Sequence, residues 1–121
     1  MTLNERIIAV VTPIVPVCVP DLLVTEAGKT PPEEYCTFNF PLEPEALADD
    51  TAQLLRALVQ VHYFAPLKAN TVATRRKLWQ ALAAVDAFTA PDITNATDQT
   101  GQHYVFEFEA VGRWLGDERS G

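Results

Sequence analysis

Two stretches of the chain alternate apolar and polar side chains: LVQVHYFAP from Leu58 to Pro66, and QHYVFEF from Gln102 to Phe108. Side chains of a strand point to opposite faces in turn, so each stretch predicts a strand with one buried face. In the first, Val59, Val61 and Tyr63 share a face, with Gln60 and His62 opposite. In the second, Tyr104, Phe106 and Phe108 share a face, with His103, Glu107 and Glu109 opposite. Both histidines of the chain are here, each followed by a tyrosine, and parity puts each pair on opposite faces. No His-Tyr dyad exists within either strand. If the strands are neighbours, Gln60, His62, His103 and Glu107 share one polar face. A His-Glu pair there is a candidate general base if a pocket and substrate accompany it. The other readings are a wet sheet face backed by helices, or a face packed on a neighbouring subunit.

The remaining segments supply two helices and shorter strands. Thr2 and Glu5 have capping-box spacing, and Leu3, Ile7, Val11 and Ile14 recur at helical spacing, with Ile8 beside them. An N-terminal helix is expected within residues 1–15, ending or kinking near Thr12 because Pro13 lacks an N–H. VCVP reads as a brief edge strand, and DLLVTEAGKTPPEE as a connection punctuated by Gly28 and Pro31-Pro32. EYCTFNF (Glu34 to Phe40) alternates, with Cys36, Phe38 and Phe40 on one face. The first long strand covers about Leu55 to Phe64. A second helix is expected within residues 69–88, capped by Asn70 or Thr71, with Val72, Leu78, Leu82 and Val85 as its buried stripe. PDITNATDQTG gives a short strand and a turn, and residues 113–121 a frayed tail.

Helices and strands do not alternate strictly, which argues against a doubly wound parallel sheet. The expected class is α+β: a single-domain, two-layer sandwich with a mostly antiparallel sheet of four or five strands and two helices on one face. Cys18 and Cys36 lack CxxC spacing and companion histidines, so neither a zinc site nor any other cofactor is expected. They read as free thiols, and a disulfide requires neighbouring strands. The apolar run after Arg6 is broken by three prolines, which suits neither a signal peptide nor a membrane span. A cytosolic, membrane-independent protein is expected.

Charge adds a clue. Sixteen acidic residues against nine basic ones give a net charge of −7, which disfavours general nucleic-acid binding. Between Lys29 and Arg56 lie six carboxylates (Glu33, Glu34, Glu43, Glu45, Asp49, Asp50) and no basic residue. Residues 41–53 read as a long acidic loop, solvated or ordered in a complex. Lys68, Arg75, Arg76 and Lys77 are the one basic concentration. Two complementary patches on one subunit are what a head-to-tail interface requires, and such interfaces can close into rings. No P-loop, GxGxxG or GxSxG motif points to an enzyme.

The order LNERIIAVV, VCVP, EYCTFNF, a variable loop, LVQVHYFAP, TRRKLWQALAAV and QHYVFEFEAV resembles the tail completion or tail terminator proteins of long-tailed bacteriophages. The resemblance covers about residues 3–111 and rests on order and texture. It implies a small α+β sandwich that assembles as a hexameric ring on the head-proximal end of the tail tube. The ring stops tube polymerisation and docks to the head connector, with DNA passing through its lumen. The implied location is the virion, at the head–tail junction, after assembly in the host cytoplasm. The implied partners are further copies of the chain, the tail tube protein and the head-closure protein. No catalytic residue is implied. The interface residues expected are Glu43, Glu45, Asp49 and Asp50 in the loop, Arg75, Arg76 and Lys77 opposite them on an adjacent subunit, and His62, His103 and Glu107 on the sheet. Two alternatives stand beside this: another head–tail connector or tail component, and a small cytosolic enzyme using the His/Glu face.

Overall fold

The computed structural model describes residues 2–44 and 54–113. Helix α1 (Leu3–Val11) begins with the expected capping box. Thr2 Oγ1 accepts the Glu5 N–H at 3.0 Å, and Glu5 Oε1 accepts the Thr2 N–H at 2.9 Å. Thr12 closes the helix, its hydroxyl donating to the Ile8 carbonyl at 2.8 Å. The helix therefore stops one residue before Pro13, short of residue 15. Leu3, Ile7 and Val11 are fully buried, but the turn that follows brings Val15 into the core and leaves Ile14 only partly buried.

Strand β1 (Cys18–Pro20) pairs in parallel with β2 (Tyr35–Asn39), and the intervening connection carries Gly28 at φ 83°. That angle is open to glycine at little steric cost. Strands β4 (Leu54–Ala65) and β6 (Gln102–Arg113) are twelve residues each and pair antiparallel along their whole length. The short β5 (Asp92–Asn95) lies beyond β6, giving the order β1-β2-β4-β6-β5. β3 (Leu42–Pro44) pairs with Leu55–Ala57 of β4, continuing the position that β2 holds further along that strand. Six strands thus fill five positions, and only the β1-β2 pair is parallel. The α+β class, the two helices and the mostly antiparallel sheet are as expected.

β3 is a departure, since residues 41–53 read as loop throughout. A three-residue strand ending in Pro44 offers no alternation to detect. Glu43 is placed by it in register with Arg56. Glu45, Asp49 and Asp50 lie outside the described residues, as does the tail after Arg113.

Helix α2 (Val72–Ala83) is shorter than residues 69–88. Leu78 and Leu82 are buried on it, and Val85 just beyond its end. Val72 is 51% exposed rather than buried. It stands six residues before Leu78, about 240° round the helix, and so off the stripe. Both helices pack on the sheet face formed by Phe38, Val59, Val61, Tyr63, Phe106 and Phe108. Fully burying each such side chain is worth about 1.5–3 kcal/mol. The opposite sheet face has no helix over it among the described residues.

Candidate interface face of the sheet

β4 and β6 lie side by side, so the parity read from sequence becomes spatial. Tyr63 and Tyr104 are directly opposed and buried beneath the helices, while both histidines stand half-buried on the outer face. Tyr63 donates its hydroxyl to Glu34 at 2.5 Å. Burial above all, and then that carboxylate, push the phenol well above its usual range.

On the outer face four of the anticipated groups form one hydrogen-bonded chain. His62 Nδ1 lies 2.8 Å from His103 Nε2, His62 Nε2 lies 3.2 Å from Gln60 Oε1, and Gln60 Nε2 donates to Glu107 Oε2 at 3.0 Å. Because Gln60 presents its carbonyl oxygen to His62, the His62 proton sits on Nε2. Nδ1 then accepts from the Nε2–H of His103. Every link is satisfied with both rings neutral. Burial lowers the pKa of each histidine; for His62 the neighbouring His103 adds to the effect, whereas for His103 Asp98 opposes it.

Beside this chain runs a stack of rings. Tyr35 and Phe64 are 4.7 Å apart and Phe64 and His103 4.4 Å, centroid to centroid. The stack borders a cleft of about 380 Å³ at the end of the sheet, lined also by Glu33, Asp98, Thr100 and Gln102. At the other end of the face, Leu58 is exposed, and Arg56 reaches Glu109 at 3.8 Å.

The basic group on α2 divides. Arg76 and Lys77 are exposed, but Arg75 is bound within the subunit. Its guanidinium lies 4.3 Å above the Tyr104 ring, and its Nε donates to Thr71 Oγ1 at 3.0 Å. Thr71 in turn donates to Gln102 Oε1 at 2.7 Å, so it does not cap α2. Asn70 offers its side-chain oxygen to the Val72 N–H instead.

Gln102 had no signature in the sequence, yet it holds this corner together. Buried, it donates to the Pro66 and Ala69 carbonyls at 2.8 Å each and accepts from Thr71 and Tyr104. Its position at the start of an inward-facing alternation, Gln102-Tyr104-Phe106, was the available clue.

Cys18 and Cys36 stand in register on β1 and β2, both buried as free thiols. Burial pushes the Cys18 thiol up to about 12 and Cys36 higher still, so neither is a nucleophile at neutral pH. Among the described residues no cluster of three or more His, Cys, Asp or Glu side chains is arranged to hold a metal. No helix among them is long and apolar enough to cross a membrane.

Models of known protein families give no match to this chain. Curated proteins give none either.

Proposed function

We propose that this chain is a structural component of a long-tailed bacteriophage. It assembles as a ring on the head-proximal end of the tail tube, ends tube polymerisation and forms the joint to the head connector. The observation that carries this reading is the outer sheet face. It mixes Leu58, Phe64 and Val105 with a polar chain whose members satisfy one another laterally. Burying polar groups already paired costs far less than burying free ones. Such a face is therefore suited to lie under another subunit.

Two further features support it. Leu22 and Val24, 73% and 78% exposed, project from the connection between β1 and β2. Apolar side chains there gain from a neighbour what the subunit itself does not give them. Catalysis by His62 or Glu107 finds less support on this face. His62 Nδ1, the one lone pair free of protons in that ring, is occupied by His103, and Glu107 is held by Gln60.

The test is removal of the chain from the virus that encodes it. The reading predicts overlong or unjoined tails beside DNA-filled heads in electron micrographs. Normal virions would contradict it.

A further inference from the structure

The fold sets the only two cysteines of the chain side by side. Cys18 on β1 and Cys36 on β2 are register partners, and both side chains enter the core, so both point from the same sheet face. The pairing is anchored on each side of them. The Cys36 N–H donates to the Val17 carbonyl and the Asp21 N–H to the Phe38 carbonyl, each at 2.8 Å. Neighbouring strands run about 4.7–4.9 Å apart, and disulfides form where Cα atoms lie about 4.4–6.8 Å apart. Bridging also needs the two Cβ atoms at about 3.8 Å, closer than strand spacing sets them. β1 can supply that movement. It is three residues long and lies at the edge of the sheet, with β2 as its one strand neighbour among the described residues.

We propose that Cys18 and Cys36 are a redox pair that closes into an intramolecular disulfide in oxidising surroundings and tethers β1 to β2. The proposal goes beyond the tail reading and does not depend on it. In a reducing cytoplasm the pair stays open. Closure ties down the strand that leads into the connection carrying Leu22 and Val24, so the base of that exposed apolar segment is held to the sheet. The cross-link also restricts the unfolded chain, which stabilises the fold.

The oxidant is a small disulfide of the glutathione class. Cys18 reacts first, because it is 7% exposed on an edge strand whereas Cys36 is 0% exposed. Burial keeps both thiols protonated while β1 is seated. Attack therefore begins when that short strand opens and Cys18 gives its proton to water. Its thiolate attacks one sulfur of the small disulfide; a mixed disulfide forms and one small thiolate leaves. Cys36, deprotonated in turn, attacks Cys18 Sγ, forming the protein disulfide and expelling the second small thiolate. The two leaving thiolates take up the two protons lost. Two electrons pass from the protein to the oxidant, which ends as two thiols.

The test is oxidation of the full chain by oxidised glutathione at neutral pH without denaturant, followed by intact mass, thiol titration and peptide mapping. The expected product is a single chain lighter by two hydrogens, with no free thiol and a Cys18–Cys36 cross-link that excess reduced glutathione reopens. Its urea midpoint is expected to lie above that of the reduced chain. Cys36→Ala is expected to stop at the mixed disulfide on Cys18, and Cys18→Ala to react at least tenfold more slowly than the wild type. Equal rates for the two variants would overturn the order of attack. Thiols that persist in the folded wild type yet oxidise in urea would overturn the proposal. So would a stable glutathione adduct of the wild type, a cross-link between chains, or an internal cross-link that lowers the urea midpoint.

Discussion

His62 accepts a hydrogen bond through Nδ1 from the Nε2–H of His103, 2.8 Å away, and this direction follows from the bond that His62 makes to Gln60 on its other side. The two rings are therefore not equivalent toward a proton. His103 can take one on Nδ1 and still donate through Nε2. His62 can be protonated only on the nitrogen that His103 already occupies.

A pH dependence follows from this pair. Both histidines have folded-state pKa values lowered from the ordinary 6.5, chiefly by burial. The folded chain therefore binds fewer protons than the unfolded chain as pH falls through that value. Stability is fully present above it and is lost as pH drops from about 6.5 toward the lower folded values. Gln60, Glu107, Asp98 and Phe64 face the pair and are unchanged in a His62→Gln variant. Urea unfolding at pH 7.5 and 5.5 should show a clear drop for the wild type and a smaller one for the variant. Equal drops would contradict the assignment.

Gln102 is predicted to matter more than its surroundings suggest. Gln102→Leu leaves the Pro66 and Ala69 carbonyls and the Thr71 hydroxyl without their partner. Each buried orphan costs about 1–3 kcal/mol, so three of them put the expected loss at about 3 kcal/mol or more. Gln102→Glu should do no better, because a carboxylate cannot donate to those carbonyls. Urea midpoints measure both.

Arg75 and Arg76 should separate cleanly. Arg75→Ala removes the stack on Tyr104 and the bond to Thr71, and is expected to lower stability by about 1–2 kcal/mol. Arg76→Ala should leave the urea midpoint unchanged and weaken only self-association, more so at low salt because exposed charges are screened. Loss of stability in Arg76→Ala, or none in Arg75→Ala, would contradict the division.

Much of this was legible in the sequence because strand parity is a local property. Val59, Val61 and Tyr63 had to share a face, and so did Gln60 and His62; pairing of the two long strands then made one polar face from both. The capping box at Thr2 was legible for the same reason, since it spans only four residues. What was not legible depends on partners distant in sequence. Thr71 looked like a cap and is bound to Gln102, and Arg75 looked like its neighbour Arg76 until Tyr104 arrived beneath it. The stack of Tyr35, Phe64 and His103 draws one ring from each of three strands. No local pattern marks it.

The most direct test of the central claim is the size of the particle that the full chain forms in solution. Sedimentation velocity at low salt, from micromolar to submillimolar concentration, reads it without a tag or partner. The account predicts a discrete assembly of about six 13.4 kDa chains that dissociates as salt is raised. A monomer at every concentration and salt would contradict it.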